Sequence, residues 1–137
     1  MIEYPLELVG VFDRGEPNLE RVAIRANLVT ELRTFFLGVG LRKDGGAFDP
    51  INDNSFWLGQ GYVGPNDWIM VYTGKGTPRS SKLPNQDYSI YSMHWGRNSV
   101  LFEMDDLVPY LYALDHVRLP TDMELLIQQN RALESQN

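Results

Sequence analysis

Period-two alternation of side chains over short stretches, punctuated by Gly, Pro, Asn and Asp, restricts this sequence more than any other feature. Val22, Ile24 and Ala26 alternate with Arg21, Ala23 and Arg25, and Tyr91, Met93 and Trp95 alternate with Ile90, Ser92 and His94. A period of two belongs to extended chain, whose successive side chains point to opposite faces of a sheet, and does not fit the 3.6-residue period of a helix. The pattern begins with Leu6-Glu7-Leu8-Val9-Gly10-Val11-Phe12, which the turn-forming run Asp13-Arg14-Gly15-Glu16-Pro17-Asn18 brings to an end.

Further strands are expected at 34–41 and 68–72. In the first, Phe35, Leu37, Val39 and Leu41 share a face, and Gly38 and Gly40 on the other either admit a close neighbour or mark a bulge. Residues 48–58 are interrupted by Asp49-Pro50 and Asn52-Asp53-Asn54, which predicts a loop leading into a short strand at Ser55-Phe56-Trp57-Leu58. Residues 28–33 read equally as a helical turn or a loop. On the strand from Trp68, neither the Trp68/Met70/Tyr72 side nor the Ile69/Val71/Thr73 side is obviously wet. Residues 74–88 are rich in Gly, Pro, Ser and Lys and lack a core pattern, and a loop of that length in a compact domain is usually functional or mobile. The last strand is expected at 108–114, where Pro109 belongs at a strand start or a sheet edge because it cannot donate a ladder hydrogen bond. After Pro120, Thr121 and Glu124 have capping-box spacing, and Met123, Leu126, Ile127, Asn130 and Leu133 recur at helical intervals. The expected fold is therefore an all-β, antiparallel β-sandwich of about seven to nine strands over residues 1–119, with a short C-terminal α-helix and tail over 120–137. So short a helix must pack on the sandwich or on a second chain, or fray.

A chain of 137 residues is long enough to hold one hydrophobic core without staples. With no cysteine it forms no disulfide, thiolate metal site or cysteine nucleophile. The opening Met1-Ile2-Glu3-Tyr4-Pro5 has an acidic residue and a proline where a secretory signal would be basic and then apolar, and no apolar run approaches membrane-spanning length. The expectation is a cytoplasmic protein with no membrane segment. A net charge of −6 argues against general binding to nucleic acid. Between Trp68 and Phe102, however, Lys75, Arg79, Lys82 and Arg97 face only Asp87, a local balance of +3 that leaves −9 for the rest of the chain. This is either the ordinary solvation of a long loop or a small positive face for an anionic partner.

The motifs do not converge on a reaction. Gly59-Gln60-Gly61-Tyr62-Val63-Gly64 matches a dinucleotide fingerprint, but a Pro65-Asn66-Asp67 turn and a β-like segment follow where that site needs a helix. Gly74-Lys75-Gly76-Thr77 is similar to the end of a phosphate loop, yet Ile69 stands where such a loop requires its first glycine. The simpler reading is a tight turn with glycines at positive φ, with a phosphate contact through Lys75 as the alternative. His94 and His116 are too few for most metal sites, and a hydrogen-bonded structural role is the more economical one for His94. The carboxylates at Asp49 and Asp53 and at Glu103, Asp105 and Asp106 lack calcium-loop spacing and are explained by turn formation. Trp57, Trp68 and Trp95 read as core or core-edge residues. Tyr62, Tyr88 and Tyr110 read as contact residues, since a tyrosine offers an apolar ring and a polar tip.

Taken in order, these segments resemble the lamin tail domain, in particular its compact bacterial versions. Glu20-Arg21-Val22-Ala23-Ile24-Arg25-Ala26-Asn27 is similar to that family's early strand, and Gly64-Pro65-Asn66-Asp67 followed by Trp68 to Gly76 is similar to its turn, strand and Thr-Gly-x-Gly ending. His94-Trp95-Gly96 and the polar stretch from Glu103 toward Leu114 follow at the family's spacing. The chain departs from the pattern at Val100-Leu101-Phe102 and at Asp105-Asp106. The resemblance implies an immunoglobulin-like β-sandwich used as an interaction module, with no catalytic residue to transfer. The resulting expectation is a non-enzymatic binding module for a protein partner, with Lys75, Arg79, Lys82, Tyr88 and Arg97 as binding residues, no cofactor and no metal. Two alternatives are a hydrolase or metal-dependent enzyme using His94 or His116 with a nearby carboxylate, and a homo-oligomer assembled through the C-terminal helix or a sheet edge.

Overall fold

Alternation becomes strand wherever both faces of a segment find neighbours. The computed structural model describes residues 4–82, 84–121 and 123–135. Among them the strands are β1 (Leu6–Phe12), β2 (Arg21–Ala26), β3 (Thr30–Glu31), β4 (Phe35–Arg42), β5 (Phe48–Trp57), β6 (Tyr62–Val63), β7 (Trp68–Tyr72), β8 (Arg79–Lys82), β9 (Ser89–His94) and β10 (Leu107–Ala113), and one helix, α1 (Met123–Ser135), follows. A five-stranded sheet has the order β1-β2-β7-β9-β8, a three-stranded sheet the order β10-β4-β5, and β3 and β6 make a small third pair. The fold is all-β with one short C-terminal helix. The segment at 28–33, undecided in the sequence, supplies β3.

Both larger sheets contribute to a single core. Val22, Ile24, Ala26, Ile69 and Val71 from the five-stranded sheet join Leu37 and Val39 from the three-stranded one, with Leu32, Leu58, Val63 and Phe102 closing the ends. The ambiguity on β7 is thereby resolved. Ile69, Val71 and Thr73 face inward, whereas Trp68, Met70 and Tyr72 are half-buried on the outer face. Of the tryptophans, Trp95 packs on the core, but Trp57 is 44% exposed, its indole Nε1 donating to the Arg33 carbonyl at 2.7 Å. The expected inward place for Trp57 is not observed.

The expected all-antiparallel arrangement is corrected at one pair of neighbours. β9 pairs with β7 in parallel, Trp68 opposite Ile90 through Tyr72 opposite His94, while β8 pairs antiparallel with β9 on its far side. The cause is the composition of β8. Arg79-Ser80-Ser81-Lys82 has no apolar face and is exposed throughout, so it is stable only at an edge, whereas Tyr91 and Met93 of β9 have core surface to bury. The sixteen residues from Thr73 to Tyr88 make the crossover that parallel neighbours need.

The three-stranded sheet overturns a second expectation. Residues 48–57 form one strand instead of a loop and a short strand. β5 lies at the sheet edge, where Pro50 can be tolerated, and residues 51–54 stand opposite Val39 alone as an irregularity between Pro50, paired with Gly40, and Ser55, paired with Gly38. Both readings of Gly38 and Gly40 hold: the pairing shifts between them, and the rings of Tyr110 and Phe48 lie so close over them that a β-carbon at either would collide. Phe48, Tyr110, Tyr112 and Phe36 thus form a row with ring centroids 5.0 to 5.5 Å apart. Pro109 sits on β10, the other edge strand. The helix begins at Met123, and its residues 127–134 are exposed, Leu133 at 63%.

Candidate interaction surface

Lys75, Arg79 and Arg97 gather around the β7–β8 connection, and a buried carboxylate holds the connection at its start. Glu20, at the entrance to β2, is fully enclosed. Its Oε1 accepts from the Thr73 hydroxyl at 2.9 Å and the Leu101 amide at 2.7 Å, and its Oε2 accepts from the Gly15 amide at 2.7 Å and the Phe102 amide at 3.2 Å. A carboxylate accepts without donating, so one side chain satisfies the Gly15 amide of the 13–19 turn, the Thr73 hydroxyl at the exit of β7 and the Leu101 and Phe102 amides after β9. Arg14 reinforces the same junction, its Nη1 donating to the carbonyls of Phe102 at 3.1 Å and Leu107 at 2.8 Å. Backbone bonds complete it: the Gly96 amide donates to the Gly74 carbonyl at 3.0 Å and the Arg97 amide to the Thr73 carbonyl at 2.9 Å.

Two clefts open on this scaffold, one on each side of Lys75. The first, of about 400 Å³, is walled by Pro17, Asn18, Thr73, Gly74, Lys75 and Arg97 and continues along 98–100. The second, of about 320 Å³, is lined by Tyr72, Lys75, Gly76, Thr77, Arg79, Ser92 and His94. Among the described residues neither wall contains an Asp or Glu. Among the described residues, Lys75, Arg79, Lys82 and Arg97 have no ion-pair partner, in contrast to Arg21 with Asp13 and Lys43 with Asp49.

Cross-strand register explains the second cleft. Tyr72 of β7 is opposite His94 of β9, and Arg79 of β8 is opposite Ser92, which shares a face with His94 two residues on. The imidazole stacks on the Tyr72 ring, with centroids 5.3 Å apart and planes 20° from parallel. The Tyr72 ring also lies 5.7 Å from the Arg21 guanidinium carbon. Gly76 comes so close to the same imidazole that a β-carbon there would fall inside the ring's van der Waals envelope. Gly74 and Gly76 are not at positive φ, so the turn reading of these glycines is corrected, at Gly76 by close approach to an aromatic ring. The hydrogen-bonded role expected of His94 is not met at Nδ1, which is buried without a partner.

Of the five expected binding residues, Lys75, Arg79 and Arg97 line the paired clefts. Lys82 lies three residues along β8 from Arg79, roughly 10 Å away, on the opposite face of the strand. Tyr88 is half-buried just before β9 and belongs with Lys82 at that far end. Tyr62 is 67% exposed on β6, away from the clefts, and Tyr110 is occupied in covering Gly38. His116 is exposed, its Nε2 accepting from Arg118 Nε at 3.1 Å. Among the described residues no three His, Asp or Glu side chains stand together as metal ligands would. Not expected from the sequence were Ser92 and Thr77 as cleft residues and Glu20 as the hub that binds Thr73, in the wall of the first cleft. The available signal was an acidic residue directly before the most apolar alternating strand.

No family model, curated protein or solved structure matches the chain significantly. No helix among the described residues is long and apolar enough to cross a membrane, which says nothing of β-barrels.

Proposed function

We propose that this chain is a non-enzymatic binding module, a lamin-tail-like β-sandwich of immunoglobulin type, that captures an acidic segment of a protein partner at the clefts around Lys75. The observation that carries the reading is the gathering of Lys75, Arg79 and Arg97 along two adjoining clefts with no carboxylate among the described residues of either wall. Unpaired cations on a scaffold held by a buried hub are free to meet an external anion without first breaking an internal ion pair. The order of strand, turn and aromatic-Trp-Gly segments supports the family part of the reading. The outer-face residues beside the clefts, Tyr72 and Arg21, are of types enriched in protein interfaces.

Lys75→Ala/Arg79→Ala/Lys82→Ala tests it, since all three side chains are exposed and their loss leaves the fold intact. Anisotropy of a fluorescent Asp/Glu-rich peptide should show saturable, salt-sensitive binding to the parent chain and at least about tenfold weaker binding to the variant, one tenfold step being 1.4 kcal/mol. Equal binding by parent and variant rejects this surface.

A further inference from the structure

The cleft between β8 and β9 has features that a general acidic surface does not need. Two cationic residues, Lys75 and Arg79, line it together with the hydroxyl-bearing Thr77 and Ser92 and the imidazole-bearing His94. His94 stacks on the Tyr72 ring and lies close against Gly76, so both neighbours restrict its orientation before any ligand arrives. Of its two ring nitrogens, Nδ1 is enclosed without a partner, and Nε2 is the one left for a ligand.

We infer that this cleft is a phosphomonoester site that anchors a phosphorylated side chain of the partner. The inference rests on the binding-module reading and names the group recognised. A carboxylate carries one charge and two oxygens, which would leave one of the two cations uncompensated. A phosphomonoester at neutral pH carries about −1.5 to −2 and three strong acceptor oxygens, which matches two cations and the flanking hydroxyl and imidazole donors. Arg79 supplies a planar fork for two of those oxygens, and Lys75 a compact charge on a flexible stem. A phosphopeptide is favoured over an anionic membrane because the rest of the chain carries −9 and would be repelled by an extended negative surface. Lys75 also lines the neighbouring cleft with Arg97, where an acidic residue next to the phosphorylated one would lie.

The test uses the full chain and three probes. In amide NMR titrations, inorganic phosphate should move Gly76, Thr77, Ser92 and His94 saturably, and chloride at equal ionic strength should not. A phosphoserine peptide should bind at least about tenfold tighter than its serine and glutamate counterparts, and Arg79→Ala should remove that preference while the amide spectrum of the rest of the chain stays folded. No phosphate shift, the same shift with chloride or in Arg79→Ala, or equal binding of the glutamate and phosphoserine peptides overturns the inference. Equal peptide affinities that are both lost in the Lys75/Arg79/Lys82 variant leave the acidic-segment reading standing while the phosphate site falls. Absence of all binding removes both. Binding to vesicles containing anionic lipid without binding to the phosphopeptide also overturns it.

Discussion

Replacing Glu20 by glutamine alters no more than one oxygen, yet it should cost this fold about 3 kcal/mol. In the parent chain both carboxylate oxygens accept, one from Thr73 Oγ1 and the Leu101 amide, the other from the amides of Gly15 and Phe102. A glutamine must place its NH₂ at one of these positions. The less damaging choice keeps the carbonyl toward Leu101 and Thr73, where it also lies 3.3 Å from the Phe102 amide, and turns the NH₂ toward Gly15, so a 2.7 Å hydrogen bond becomes two donors facing each other. A hydrogen bond to a charged acceptor contributes about 1.5–3 kcal/mol, and an unsatisfied buried donor costs about 1–3 kcal/mol, so a net loss of about 3 kcal/mol follows. Urea unfolding followed by tryptophan fluorescence measures it. With a slope of about 2 kcal/mol/M the midpoint should fall by about 1.5 M without a change in slope. Thr73→Val removes one donor and should cost about 1 kcal/mol, and less in the Glu20→Gln background, because the two side chains share a bond. A Glu20→Gln midpoint within 0.2 M of the parent would refute the claim that an acceptor-only group organises this junction.

Gly76→Ala should force the His94 ring out of its stack on Tyr72, costing about 1–3 kcal/mol in thermal melts and shifting the His94 ring protons; an unchanged Tm would show that the loop yields instead. Gly38→Ala should displace the Tyr110 ring with a similar loss and a weakened near-ultraviolet circular dichroism signal, since the ring lies over that glycine. Ile127→Glu with Leu133→Glu should leave stability within about 0.5 kcal/mol, because both residues are exposed. Sedimentation of the full chain against residues 1–119 then reads the tail's part in assembly: equal oligomeric states exclude α1 as the contact.

Much of the strand inventory was legible, because burial on one face of a sheet imposes a period of two that residues such as Val22, Ile24, Tyr91 and Met93 display without ambiguity. The errors fall where a local rule met a tertiary allowance. Asp49-Pro50 and Asn52-Asp53-Asn54 read as loop, but an edge strand has an unpaired side on which a proline and an irregularity can be absorbed. Trp57 reads as core or core-edge because it lies at a strand end, while the Arg33 carbonyl holds its indole at the surface.

The sequence by itself determined that the chain is β-rich, that its helix follows the strands, and that positive charge is concentrated between residues 75 and 97. These depend on side-chain period, capping and composition, which are local. Only the tertiary structure decided that β9 inserts between β7 and β8, that Arg79 and His94 therefore share a cleft with Lys75, and that Glu20 ties three distant segments together. Strand neighbours are selected by which faces have apolar area to bury, and partners for a buried carboxylate are selected by proximity in space, and neither quantity is written in the spacing of residues along the chain.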